Sequence, residues 1–469
     1  MKSLQLSSAE FTALGARITT LAADYLAGLG ELRTFPQHAR SGAPELLLER
    51  LPEEGLGPAA FDALQAVLDN SRPPSPRFFG YVLGSGEPVA ALADLLASVL
   101  NQNVTAWRSA PAAVTLERQL IGALAASLGC DGYRGSFCGG GSMANLMALA
   151  MAREARLPAN AAGARPGVVY ASSEVHMSIP KAVALLGLGR ENLRLIPTDE
   201  RYRMSLAHLR EAICADRAAG RQPLAVVATS GTVNTGSIDP LAGIASLCHE
   251  HGVWMHIDGA YGALAALAMP EPFAGLNAAD SLSLDAHKWL YQPLDCGVLL
   301  FRDAAAARRA FSYTGDYARS LGTDPLEAFA FFEESLELSR RFRALKLWLS
   351  LRYHGMSAFR AAIRADLRHA QLLAQQVAAS ARLELCAPVA LSAVCFRYRT
   401  EPAVPDSDEV NEAILKRVIE RGRVYLSNAT LGRRFVLRAC FVNHRTTEMD
   451  VAEIVPEVLA AAQEVLAGR

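Results

Sequence analysis

Two short stretches of the sequence place residues capable of covalent chemistry at the ends of strand-like runs. Ser281-Leu282-Ser283-Leu284-Asp285-Ala286-His287-Lys288-Trp289 is an apolar run ending in a polar turn, with Lys288 between a histidine and a tryptophan. Upstream, Trp254-Met255-His256-Ile257-Asp258-Gly259-Ala260-Tyr261-Gly262 is a second such run, ending in a carboxylate. An amine that forms a Schiff base with an aldehyde cofactor, and an acid that keeps a pyridine nitrogen protonated, are what pyridoxal 5'-phosphate (PLP) requires of its protein. Taken alone, a strand-end aspartate is more often a helix cap.

Other stretches complete such a site. Ser136-Phe137-Cys138-Gly139-Gly140-Gly141-Ser142-Met143-Ala144-Asn145 is a glycine run entering a helix at about Ser142. Glycines let backbone approach an oxyanion, and a helix start aims its positive end at it; by itself the run is also a plain turn. His176 sits between a strand and a helix start, the usual place of a capping or surface histidine. Thr229–Asp239 is a hydroxyl-rich turn whose aspartate can cap the next helix. Ser75–Gly86, aromatic and glycine-rich, is too broken for a helix and reads as a core loop or a pocket wall. Trp107, in a turn before the helix Thr115–Leu128, is a further wall candidate.

These residues need a scaffold, and the alternation from Gly167 to Phe301 supplies one. Val168–Ala171, Leu193–Ile196, Leu224–Ala228, Val253–Ile257, Ser281–Leu284 and Gly297–Phe301 read as strands; Met177–Leu186, Ser205–Ala219 and Pro240–His251 read as helices. The pattern predicts an α/β fold with a mostly parallel sheet and helices on both faces, with ligands beyond the carboxyl ends of the strands. From Ser8 to about Leu68, Phe11, Leu14, Ile18, Leu21 and Tyr25 recur at helical spacing, predicting an arm that buries its stripe against something else. The C-terminal part predicts a small α/β domain: a helix around Asp366–Ala379, strands near Ala390–Tyr398 and Phe435–Val442, and a last helix from about Thr447 to Leu466. Arg438 and the Asn443-His444-Arg445 turn would orient it. The expected division is 1–75, 76–350 and 351–469.

Composition excludes several classes. With 469 residues, 51% hydrophobic and 20% charged, the chain is no disordered segment. Lysine and arginine number 46 against 47 acids, with no basic stripe for nucleic acid or an anionic membrane. Eight scattered cysteines without a Cys-x-x-Cys pair suggest a reduced, cytoplasmic chain. The N-terminus lacks the apolar core of a signal peptide, and no run approaches the ~20 apolar residues of a membrane span. No metal site is predicted.

Asp-Ala-His-Lys-Trp-Leu at 285–290, with Ile-Asp-Gly-Ala-Tyr-Gly at 257–262, resembles the PLP-dependent group II amino acid decarboxylases, the family of aromatic L-amino acid and glutamate decarboxylases, from about Phe78 to about Arg445. The resemblance implies the aspartate aminotransferase fold (fold type I): a large domain on a mostly parallel seven-stranded sheet, a small C-terminal domain, and an N-terminal arm packed across a partner. A homodimer with its active site at the subunit interface follows. So do the roles: Lys288 as the Schiff-base lysine, His287 beside it as a phosphate or lysine contact, and Gly141 and Ser142 on the phosphate. His176 stacks on the ring and takes part in proton transfer, Asp258 meets the ring nitrogen, and Ala260 lies under the ring. In the 229–239 turn Val233 replaces a frequent threonine, leaving polar contact to Thr232 or Asn234. Asp285 stands where animal members often carry asparagine; an acid beside a phosphate is unfavourable unless it turns away, so it is left out of the phosphate set. Tyr81 and Val82, valine replacing a ring, line the substrate pocket from the neighbouring subunit, with Trp107 as a further wall. Counting back from Arg340 aligns Phe331 with the mobile-loop catalytic tyrosine, and Tyr317 or Tyr313 are other sources of that hydroxyl. The implied reaction takes an L-amino acid, aromatic or hydrophobic, to its amine and carbon dioxide. An oxygen-dependent aromatic aldehyde synthase, motivated by Phe331, is the alternative, and small or acidic substrates stay open.

Overall fold

The computed structural model describes residues 4–36, 46, 51–313, 324, 327–400 and 407–468. Its main sheet has seven strands: β1 (Arg134–Cys138), β2 (Val168–Ser172), β3 (Leu193–Ile196), β4 (Pro223–Thr229), β5 (Trp254–Asp258), β6 (Ser281–Asp285) and β7 (Gly297–Phe301). Their order is β1-β7-β6-β5-β4-β2-β3. β2 to β6 pair in parallel, and β7 alone runs the other way, between β6 and β1. The α/β fold with a mostly parallel sheet is as expected; the seventh strand, β1, is the stretch that the sequence merges into the glycine run.

Both faces of the sheet are covered, so β2, β4, β5, β6 and β7 are buried along their whole length. Alternation separates the two cores: in β4, Val226 packs with Met255 and Ile257, while Val227 packs with Trp254 and the helix Gly141–Arg156. Because β1, β2, β4, β5 and β6 point the same way, their carboxyl ends lie along one edge. That edge carries the glycine run, His176, the 229–239 turn, Asp258 and Lys288.

A second sheet, antiparallel in the order β10-β11-β9-β8, comprises β8 (Leu383–Leu385), β9 (Ala393–Tyr398), β10 (Ser427–Leu431) and β11 (Arg434–Cys440). Its core includes residues of the helices Ser407–Arg421 and Ile454–Ala467. The helix expected around Asp366–Ala379 is the far part of Ala344–Ala379, interrupted at Gly355, whose φ is 74°. The helix Ser8–Gly28 buries none of its residues, with Phe11 51% and Ile18 41% exposed. The helix Pro88–Leu100 likewise leaves Leu92, Leu96 and Val99 exposed. Among the described residues no helix is long and apolar enough to cross a membrane.

One buried ion pair ties the edge of the sheet to the approach to the Ala344 helix. Arg340 meets Glu117, both side chains fully buried. The same guanidinium donates to Val104 O at 2.7 Å and Phe137 O at 2.9 Å, and Glu117 accepts the Phe137 amide at 3.0 Å. Phe331 lies on this cluster, with Arg340 4.1 Å above its ring. Removing one partner strands the other charge, so Glu117→Leu is expected to cost about 3–5 kcal/mol, read as a drop in the urea midpoint.

Candidate active site

A cavity of about 240 Å³ opens at the shared strand edge. After β1 it is lined by Gly139 to Ser142, after β2 by His176, after β4 by Gly231 and Val233, around the end of β5 by Asp258, Ala260 and Tyr261, and around the end of β6 by Asp285, His287 and Lys288. Two larger hollows, about 560 and 460 Å³, are lined by neither lysine nor histidine: one surrounds Arg201, Arg203 and Pro388, the other lies against the N-terminal helix.

Asp258 is buried at the floor of this cavity, and donors converge on its carboxylate. Asn145 Nδ2 reaches Oδ2 at 2.9 Å; Ser283 Oγ and the Ala260 amide each reach Oδ1 at 3.2 Å. Every partner donates, which leaves the remaining acceptor capacity for a group in the cavity. The glycine run closes over this floor so tightly that a Cβ on Gly141 would sit 2.6 Å from Ala260 Cβ. Gly140, at φ 119°, makes the turn, and the helix Gly141–Arg156 begins without a side-chain cap, as an anion cradle requires.

Lys288 Nζ lies 3.0 Å from Asp285 Oδ2, and His287 Nε2 lies 3.4 Å from the same oxygen. Asp285 Oδ1 is buried without a hydrogen bond. His287 Nδ1 accepts the Cys296 amide at 3.2 Å, so the hydrogen of its neutral ring is on Nε2, toward Asp285. The acid left out of the phosphate set therefore lines the cavity. A histidine and the lysine draw it inward, and it does not turn away. His176 is half-buried, and burial holds its pKa below the usual imidazole value against the opposing pull of Asp258.

Not every expected residue reaches the cavity. Thr232 is fully buried, 2.9 Å from Thr235 Oγ1, and accepts the Ser237 amide at 3.1 Å; it shapes the turn, while Gly231 and Val233 face the cavity. Asn234 is taken up by Glu174. Tyr81 is 54% exposed with φ 59°, its hydroxyl 3.1 Å from that of Tyr425. Val82 is half-buried, and Trp107 donates to Thr115; neither lines this chain's own cavity. Gly84 does approach it: a Cβ there would lie 2.1 Å from His287 O, so only glycine lets this segment lie against the lysine turn. Arg438 and Arg445 brace the segment by donating to the carbonyls of Tyr81, Ser85 and Gly86. Phe331, aligned with a loop tyrosine by counting, is a core ring 1% exposed in a single 3-10 turn, fixed by the hydrogen bond its N–H donates to Thr105 O and by Arg340. Tyr313 is exposed, and Tyr317 lies outside the described residues.

Sequence reasoning missed Asn145 and His256. His256 Nε2 lies 2.9 Å from Asn145 Oδ1, behind Asp258. A signal existed: His256 precedes Asp258 by two and shares its face of the strand, and Asn145 follows Gly141 by one helical turn.

PLP fits what is present: a carboxylate with spare acceptor capacity, an amine, an imidazole and an uncapped glycine helix start around one small cavity. Residues 66–399 match the family described as the pyridoxal-dependent decarboxylase conserved domain. An aromatic-L-amino-acid decarboxylase of Bacillus atrophaeus is 37% identical over 99% of this chain and 98% of its own length. A 4-hydroxyphenylacetaldehyde synthase of Rhodiola rosea is 32% identical over 84% of this chain and 82% of its own. The crystal structure of Oryza sativa TDC with PLP and tryptamine superposes with a TM-score of 0.92 at 28% identity, covering 99% of both chains.

Burial pushes the His256 pKa down to about 4, against 6.5 for a free imidazole. As pH falls below about 6.5 the unfolded chain takes up a proton that the folded ring refuses until about 4, so this term removes stability across that window. Between pH 7 and 5, wild type is expected to lose about 2 kcal/mol more than His256→Gln in urea titrations.

Proposed function

We propose, from the premise that this chain belongs to the pyridoxal-dependent decarboxylase family, that it removes the carboxylate of an aromatic L-amino acid, with Lys288 as the residue that holds the cofactor covalently. The observation that carries the assignment is the convergence of Lys288, Asp258 and His176 with the glycine cradle on one cavity. The aromatic substrate is supported by the Bacillus atrophaeus relative and by the tryptamine bound to the Oryza sativa protein.

PLP, when bound, supplies an electron sink for the pair left behind as carbon dioxide departs. The chain's residues do the rest. Asp258, fed by three donors, would accept from the pyridine N–H and keep positive charge at that end of the ring. Ala260, small, would leave room for the ring, and His176, lining the same cavity, would cover it and exclude water. Gly141 and Ser142 hold the phosphate at the helix start, with His287 nearby. Lys288 would hold the cofactor covalently, and Asp285, 3.0 Å from its Nζ, would keep the amine within reach for proton movement. Tyr81, Val82 and Trp107 serve the pocket of a neighbouring subunit. The uncovered apolar faces of Ser8–Gly28 and Pro88–Leu100 support such a homodimer, and eight unpaired cysteines support a cytoplasmic location.

The aldehyde synthase reading draws on the Rhodiola rosea relative; Phe331, packed in the core, lends it no support. A sealed assay of the PLP-loaded protein with aromatic L-amino acids, following carbon dioxide, amine, aldehyde and oxygen together, separates the two. Equal amine and carbon dioxide without oxygen uptake is the expected result, and aldehyde with oxygen uptake would sink it. Lys288→Ala is expected to abolish turnover and the reducible covalent attachment of PLP. Asp285→Asn removes the ion pair that must open before the amine attacks an aldehyde, so stopped-flow absorbance is expected to show faster cofactor loading at pH 7.

A further inference from the structure

Asn145, 1% exposed, connects the group assigned to the ring nitrogen with the one assigned to a face of the ring. Its Nδ2 is 2.9 Å from both Asp258 Oδ2 and Ser178 Oγ, and its Oδ1 is 2.9 Å from His256 Nε2. The orientation of this amide is dictated. A carboxylate only accepts, so the NH2 must face Asp258, and Oδ1 must face the imidazole. His256 Nε2 therefore carries the hydrogen. Burial keeps that ring neutral near pH 7, so its Nδ1 accepts. Two atoms of Ser281 face that nitrogen: the carbonyl oxygen at 3.2 Å, which can only accept, and Oγ at 3.0 Å; with the hydrogen held on Nε2 it is Oγ that donates to Nδ1, itself accepting from Trp254 Nε1 at 3.0 Å. The donors run one way, from Trp254 through Ser281, His256 and Asn145 to Asp258.

The second amide hydrogen takes the other branch. Ser178 Oγ accepts it, so the serine's own hydrogen points to His176 Nδ1 at 2.8 Å. The same Nδ1 accepts the Ser178 amide at 3.2 Å. With Nδ1 an acceptor, the neutral His176 ring carries its hydrogen on Nε2. The charged groups acting on His176 are Asp258, Lys288, Asp285 and Lys181.

We propose that Asn145 is a positioning residue whose single amide both delivers a donor to Asp258 and, through Ser178, fixes His176 as its Nε2–H tautomer. The ring-nitrogen partner and the face-covering histidine then share one buried source of proton order, and His176 meets the substrate as a donor. This rests on the reading of Asp258 and His176 as groups facing PLP, and the chain of hydrogen bonds stands or falls separately from it.

Neutron diffraction from a deuterium-exchanged crystal of the full chain with PLP reads the chain directly. Deuterium is expected on Nε2 and absent from Nδ1 in both His256 and His176. Deuterium on Nδ1 of either ring would overturn the proposal. The functional half is tested with Asn145→Leu/His256→Phe, which removes both partners of the buried bond and so avoids stranding the imidazole N–H. A kcat lowered by about tenfold or more, as for lost outer partners of metal-bound histidines, is expected with KM little changed. The pH titration of the bound cofactor's absorbance should shift as well. Wild-type kcat and spectrum in that variant would refute the positioning role. A protein that takes up no PLP at all would refute the cofactor reading instead, while the deuterium positions still decide the hydrogen-bond chain.

Discussion

A carboxylate that is buried must be given donors, and the placement of Asp258 makes that demand at the centre of this molecule. The donors come from three elements: Ser283 on the adjacent parallel strand, the Ala260 amide just past the strand end, and Asn145 on the helix that follows the glycine run. Each contact fixes one element against another. The pairing of β5 with β6, the seating of the Gly141–Arg156 helix over the sheet, and the turn that carries Ala260 are therefore coupled to one charged group. An apolar residue at 258 would release all three constraints at once.

The other end of the cavity is organised by close approach of backbone. Gly141 lies against Ala260, Gly84 against the carbonyl of His287, and a Cβ on Gly297 would lie 2.3 Å from Gly140 Cα. Side chains at these positions would push the cradle away from the lysine. Into this tight corner the chain puts Asp285, in contact with Lys288 and His287. The acid that a phosphate would repel is offset by two nitrogen donors, which is why it can stay. Hydrophobic burial on both faces of the sheet packs the strands that carry these residues against the helices around them.

How much of this was legible beforehand depends on what kind of signal a residue leaves. That Lys288, Asp258, the glycine run and His176 meet at one cavity was readable because each stands at a junction between an apolar run and a turn, and a parallel sheet brings such junctions together at one edge. Thr232 bonds within its own turn, which the sequence could not show because hydroxyl-rich turns look alike whether they face a ligand or bond within themselves. Phe331 was placed by counting along the chain. Its place in the core depends on Arg340, nine positions later, folding back over its ring and pairing with Glu117 from a distant helix.

The sequence alone determined the alternation of strands and helices, and with it the direction of the sheet and the edge on which chemistry gathers. Periodicity and turn residues are local, and a right-handed parallel arrangement follows from them with few alternatives. Only the tertiary structure decided which polar side chains share hydrogens. Asn145 and Asp258, more than a hundred positions apart, become partners because a helix packs across a strand, and Asp285 turns inward because Lys288 and His287 are there to receive it. Hydrogen bonding acts within about 3 Å, and contacts at that range between distant segments exist only once the core has closed.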